Sequence, residues 1–113
     1  MRSKYRNIRT EVDGINFASK AEASRYQELK LLEKAGEIKD LELQPKFTFC
    51  INGKYLTYNT GHKITYTADF RYMERVLDTW ETVVEDKKGF MTQPTRIRLA
   101  LMKHVNGIEV LIT

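Results

Sequence analysis

Between Ser19 and Gly36 the apolar positions recur with a helical period. The stretch SKAEASRYQELKLLEKAG carries Tyr26, Leu29 and Leu32 at spacings that predict one buried stripe. Ser19 is a good N-cap, and Glu22 stands three residues on, the S-x-x-E spacing of a capping box. Gly36 follows the last apolar turn and predicts a left-handed stop. At about 100° per residue Glu22 lies on the same stripe, one turn before Tyr26. A carboxylate at the head of a core-facing stripe needs a reason.

The period then changes to two. FTFCI and KYLTY flank Asn52-Gly53, a hairpin signal of the I′ kind, and NTGHK reads as a second turn. ITYTADFRY alternates as one strand, with Ile64, Tyr66, Ala68, Phe70 and Tyr72 on one face and Thr65, Thr67, Asp69 and Arg71 on the other. ERVLDT reads as a turn and WETVVEDKK as the next strand. MTQPTRIRLALMKHVNG predicts a shorter helix, with Pro94 in its first turn, Gly107 past its end, and Ile97, Leu99, Leu101 and Met102 serving the core. IEVLI closes the chain as a strand. Helix, three or four antiparallel strands, helix, strand is a mixed α/β (α+β) order, with the sheet covered on at least one face.

Composition narrows this to one domain. A chain of 113 residues can bury one core without disulfides or a structural metal. Hydrophobic residues at 42% and charged residues at 30% read as soluble and globular. No apolar run approaches the roughly 18 residues that span a bilayer, and no signal-peptide core opens the chain. No membrane partner is expected, and a cytoplasmic location is. Cys50 is the only cysteine, which excludes an internal disulfide and any multi-cysteine zinc site. The two histidines, His62 and His104, have no ligand spacing. The net charge of +4 is a mild hint of a polyanionic partner. Arg2, Lys4, Arg6 and Arg9 make residues 1–10 a basic arm without an acid. Such an arm lies along phosphates in one reading and is a solvated terminus in the other.

The charge run in TVVEDKKGF carries the candidate chemistry. In a strand, Val84, Asp86 and Lys88 face one way and Val83, Glu85 and Lys87 the other, so two frames compete, Glu85-x-Lys87 and Asp86-x-Lys88. An acid-x-lysine pair beside an acid from the neighbouring strand suits a metal-dependent phosphodiesterase. Two carboxylates can hold a hard divalent cation. The cation acidifies a water and neutralises charge on the phosphate. The lysine orients the water or stabilises the transition state. Asp69 supplies the second acid, and Glu22 a third. By spacing alone, the commoner meaning of such charges is an edge strand guarded against pairing. Glu22 likewise serves as a plain capping residue. Asp69, between Ala68 and Phe70 in an alternating run, is poorly placed to cap a turn.

YTADF followed by VVEDKKGF, after an S-x-x-E helix start, resembles the PD-(D/E)XK nuclease superfamily. It is most similar to phage Holliday junction resolvases of the endonuclease I type, and to a family of small phage proteins carrying ADFRY and VVEDVKG. The resemblance spans about Phe17 to Met102 and implies a restriction-endonuclease-like core, α-β-β-β-α-β, with a mixed central sheet flanked by helices. In those proteins glycine follows the acid-x-lysine directly, which selects Asp86-Lys87-Lys88-Gly89. Glu22 then matches the helix glutamate, Asp69 the aspartate of motif II, and Asp86 and Lys88 the acid and lysine of motif III. Asp69, Asp86 and Glu22 become the ligands of Mg2+ or Mn2+. Ala68 replaces a frequent proline, and Lys87 a usual apolar residue. Glu85 becomes a supporting acid, and Gln44, before Pro45, a helper near the site, although a polar loop end explains Gln44 as well.

Holding DNA needs further cations. Arg96 and Lys103 are seven apart on one helical face, and Arg98 lies off that line. These three and Lys87 are the candidate phosphate contacts, with a solvated helix face as the plain alternative. Tyr55, Tyr58 and Tyr66 are expected to pack the hairpins rather than stack bases. The resulting expectation is a metal-dependent endodeoxyribonuclease selective for branched DNA, working in a host cell's cytoplasm if phage-encoded. Symmetric cleavage of a junction implies a homodimer. A general, single-strand or flap nuclease of the same fold is one alternative, and a non-catalytic DNA-binding module is another.

Overall fold

The computed structural model of the protein describes residues 8–88 and 90–113. Arg2, Lys4 and Arg6 of the basic arm, and Gly89 of the motif, lie outside them. The first element is a hairpin that the hydrophobic pattern did not announce, β1 (Thr10–Val12) and β2 (Ile15–Phe17). Asp13 and Gly14 both take positive φ at its turn, which only small or Asx-type residues adopt cheaply. Helix α1 (Lys20–Lys34) follows, capped by Ser19. It ends where the Gly36 and Glu37 N–H groups donate to the carbonyls of Glu33 and Leu32, the paired bonds of a Schellman stop.

One face of α1 buries Glu22, Ala23, Tyr26 and Leu29, but Leu32 is 36% exposed. Each three-residue step falls about 60° short of a full turn, so by Leu32 the side chain has rotated off the stripe. Tyr26 stacks near Phe17, with ring centroids 5.0 Å apart, and its hydroxyl donates to Asp13 at 3.1 Å. The hairpin is thereby fastened to the helix.

Strand β3 (Ile38–Leu43) was also unexpected. Its pairing shifts between Lys39 and Glu42, where Asp40 has positive φ, so this bulge breaks the alternation that would mark a strand. FTFCI is divided. Its first part lies in β4 (Lys46–Thr48), while β5 (Cys50–Ile51) and β6 (Lys54–Tyr55) close the expected Asn52-Gly53 hairpin. ITYTADFRY is divided too, into β7 (Thr65–Thr67), which pairs with β4, and β8 (Phe70–Val76). Its burial still alternates, with Tyr66, Ala68, Phe70 and Tyr72 inside. β8 takes up the first half of the expected ERVLDT turn and reverses only at Leu77-Asp78 into β9 (Thr79–Asp86). Helix α2 (Gln93–His104) starts on the Thr92 cap, with Pro94 in its first turn. Met102 is buried, whereas Ile97 is exposed and does not serve the core as expected. Only Leu111–Ile112 of IEVLI forms a strand, β10, while Ile108 and Val110 pack against the α2 cluster.

The main sheet runs β10-β9-β8-β3, with β10 parallel to β9 and the remaining pairs antiparallel. It is a mixed sheet in an α+β fold. Residues directly opposite in the β8–β9 ladder share a face, so Phe70, Tyr72, Val83 and Glu85 point one way and Arg71, Val84 and Asp86 the other. Phe70 and Tyr72 cluster with Ala23, Tyr26 and Leu29 of α1. Val84 clusters with Met102 of α2, Phe47, Phe49 and Tyr66. The two helices therefore cover opposite faces. Among the described residues no helix is long and apolar enough to cross a membrane.

Candidate functional site

At the end of β9 the two sheet faces diverge, and consecutive acids meet different surroundings. Glu85 is 1% exposed on the α1 side. It accepts from Arg25 Nε at 2.7 Å, Arg25 Nη2 at 3.0 Å and the Tyr72 hydroxyl at 2.6 Å. The Glu85 hydrogen bond raises the Arg25 guanidinium above its ordinary value, and burial raises the Tyr72 phenol. A buried carboxylate with three charge-assisted or hydroxyl donors is satisfied where it stands. Glu85 is thus a tether between α1 and β9.

Asp86, 2% exposed, takes the opposite direction. Its Oδ2 accepts from the Tyr66 hydroxyl and lies 3.0 Å from Lys88 Nζ. Burial raises the Tyr66 phenol, so it stays a donor to the carboxylate. The Thr113 N–H donates to the Asp86 carbonyl at 3.0 Å, continuing the β10 pairing past the strand end.

Asp86 and Lys88 line an open pocket of about 540 Å3 together with Glu22 and Asp69, and with Ser19 and Thr67 at its wall. Glu22 comes from the first turn of α1. Only half of the expected capping box forms: the Glu22 N–H donates to Ser19 Oγ at 3.1 Å, while its carboxylate accepts from Gln44 Nε2 at 3.1 Å. Gln44 holds a positive φ of 53° just before Pro45, and its own N–H donates to the Asp69 carbonyl at 2.9 Å. A non-glycine residue in that region is sparsely populated and is retained where the surroundings dictate it. Gln44 thereby links Glu22 to Asp69. Asp69 sits in the gap between β7 and β8, where Oδ2 accepts the Lys87 N–H at 2.7 Å.

Burial pushes the Asp69 carboxyl up to about 7; the Lys87 N–H pulls the other way, and the charges of Asp86 and Glu22 add to the rise. Three carboxyl groups thus share one cavity with Lys87 and Lys88, and the Lys88 ammonium lies on Asp86. Among the described residues, no group of three or more His, Cys, Asp or Glu side chains forms a ready-made metal cage.

The remaining candidates divide. Lys87 reaches the same pocket. Arg98 is half-buried on α2, its Nη2 donating to the Tyr58 hydroxyl at 2.7 Å, whereas Arg96 and Lys103 are exposed. Tyr55 and Tyr58 are exposed rather than packed inside the hairpins. Sequence reasoning did not assign Tyr66 and Arg25 to the site. For Tyr66 a signal existed, since a buried tyrosine three residues from Asp69 needs a partner for its hydroxyl. Arg25 had none beyond its place one turn after Glu22.

The model of a family described as "Protein of unknown function (DUF1064)" matches residues 2–107. The chain belongs to the DUF1064 family. No curated protein and no solved structure matches it. The DUF1064 description names no activity, so for this chain function is argued from the pocket itself.

Proposed function

We propose that this chain is a metal-dependent endodeoxyribonuclease of the PD-(D/E)XK type, hydrolysing phosphodiester bonds at the pocket lined by Glu22, Asp69, Asp86 and Lys88. The observation that carries this reading is the convergence of these four residues, drawn from α1, the β7–β8 gap and the end of β9. The diversion of Glu85 to Arg25 supports Asp86-x-Lys88 as the working frame. Chain order adds support: α1, β3, β8, β9, α2 and β10 read α-β-β-β-α-β, the restriction-endonuclease-like order.

The donor set fits Mg2+ or Mn2+, which favour carboxylate oxygens and keep waters and substrate phosphates in the remaining positions. Asp69 and Asp86 would hold the ion, with Glu22 beside them. When bound, it supplies neutralisation of phosphate charge and acidification of a water. The chain's own residues do the rest. Tyr66 fixes one Asp86 oxygen, and Gln44 orients the Glu22 carboxylate. Lys88, anchored on Asp86, presents an ammonium where negative charge develops on the phosphate. Selectivity for branched DNA and a homodimeric state belong to the same proposal and rest on the resemblance to junction resolvases.

The test incubates the protein with a labelled four-way junction and a matched linear duplex, in Mg2+, in Mn2+ and in chelator. Asp86→Asn runs alongside. Metal-dependent, junction-selective cutting lost in that variant is the expected result. Cutting of all substrates removes the junction selectivity, and binding without cutting in either metal refutes the enzyme.

A further inference from the structure

Next to the acidic pocket lies a smaller one of about 270 Å3, between β7 and the first half of α2. It is lined by Thr65, Tyr66, Thr67, Lys88, Thr95 and Arg98. The two cavities share Thr67 and Lys88. Their chemistry differs. The first gathers three carboxyl groups with two lysines, and the second has two cations, four hydroxyls and, among the described residues, no carboxylate.

Local geometry accounts for this grouping. Thr65 and Thr67 are two apart on β7 and share a face. Thr95 and Arg98 are three apart on α2 and are neighbours on the helix surface. The Thr92 hydroxyl can donate to Thr95 Oγ1 across 2.9 Å, which leaves the Thr95 hydroxyl hydrogen for a ligand. Arg98 spends one donor on Tyr58, 2.7 Å away, which fixes the guanidinium while most of its five N–H groups have no partner among the described residues. A fixed guanidinium among hydroxyls suits a phosphate, whose oxygens accept from a planar fork.

We propose that this pocket is a phosphate subsite for the nucleotide unit beside the scissile one, with Arg98 as its anchor and Thr65, Thr67 and Thr95 as hydroxyl donors. The inference rests on the nuclease reading and deepens it. Lys88 stands at the junction of the two cavities, so one strand carries successive phosphates from the acids to Arg98. The substrate is therefore one with successive phosphates, a polynucleotide rather than a phosphomonoester, which fills only one of the two. Arg98, not Arg96 or Lys103, is the α2 cation that this geometry selects.

The experiment measures binding of a fluorescein-labelled four-way junction and a labelled duplex in EDTA, by anisotropy across a salt series. Arg98→Gln is expected to weaken binding about tenfold and to lower the slope of log affinity against log salt by about one. Lys30→Gln removes the same charge from α1, on the other face of the sheet, and is expected to change affinity less than about twofold. Arg98→Lys restores part of the loss. Thr95→Val keeps the helix and the charge, and is expected to weaken binding severalfold even if Arg98→Gln fails to fold. Wild-type binding in both Arg98→Gln and Thr95→Val, a loss matched by Lys30→Gln, or a wild type that binds no DNA overturns the subsite. Weakened binding in a protein that cuts nothing in Mg2+ or Mn2+ keeps the subsite and removes the nuclease. Cutting with wild-type binding in both Arg98→Gln and Thr95→Val does the reverse.

Discussion

Arg25 grips Glu85 with two hydrogen bonds, of 2.7 and 3.0 Å, across a sequence separation of 60 residues. Arg25 lies three residues after Glu22 on α1, and Glu85 one residue before Asp86 on β9. The pair therefore fixes the helix that carries one pocket acid against the strand that carries another. It also separates two neighbouring acids by role, because Glu85 faces the α1 side and Asp86 the pocket.

Removing Glu85 takes the buried counter-ion from the half-buried Arg25, which keeps only the exposed Glu28 at 2.9 Å, and the acceptor from the buried Tyr72 hydroxyl. Glu85→Ala is expected to cost about 3 kcal/mol of stability, read from denaturant unfolding. Asp86→Asn is expected to abolish cleavage at a much smaller cost in stability. The reverse pattern, with cleavage lost in Glu85→Gln and kept in Asp86→Asn, refutes the assignment of the two acids.

Tyr66 donates to the oxygen of Asp86 that Lys88 also approaches. Tyr66→Phe keeps the ring in its core cluster and removes the donor. Partners of this kind, one step behind a ligand, are worth about 10–100-fold in metal affinity or activity. The expected result is a loss in that range, with a higher Mg2+ concentration at half-maximal cleavage. A titration that superimposes on wild type shows that Tyr66 only packs.

The Asp69 carboxyl, raised to about 7 first by burial, predicts a pH dependence of the metal-free protein. Unfolded, the group ionises near 4. Between about 4 and 7 this group binds more protons folded than unfolded, so its contribution to stability is greatest below this window and falls as pH rises through it. Thermal melting in EDTA is expected to show that slope, and Asp69→Asn to flatten it. Mn2+ is expected to flatten it too, because a bound cation favours the ionised carboxyl. An Asp69→Asn profile parallel to wild type contradicts this.

Leu29 and Leu32 lie one helical turn apart, with exposures of 0% and 36%. Leu29→Ala is expected to cost about 3 kcal/mol and Leu32→Ala less than about 1 kcal/mol. Equal losses in urea unfolding place the buried stripe of α1 elsewhere.

Short-range chemistry was legible in the chain. The Ser19 cap, the stop at Gly36 and the Asn52-Gly53 turn depend on hydrogen bonds and dihedrals within a few residues. The alternation from Ile64 to Tyr72 survives as burial even though the strand is divided between two partners. The Asp13-Gly14 turn is of the same kind, but the strands on either side are three residues each, too short to show an alternation.

Long-range pairing was not legible. The bulge at Asp40 hid β3, since one extra residue moves later side chains to the other face. Spacing left Glu85 and Asp86 equivalent. Only the packing of α1 on one face and α2 on the other gave each acid different partners. Glu22 spaced like a capping glutamate until Gln44, 22 residues away, took its carboxylate. The sequence by itself determined the caps, the turns and the residue types able to bind a metal and a phosphate, because those follow from neighbours along the chain. Which acids share a pocket, and that Arg98 lies beside Lys88, only the tertiary structure decided, because such contacts depend on how the two sheet faces are covered.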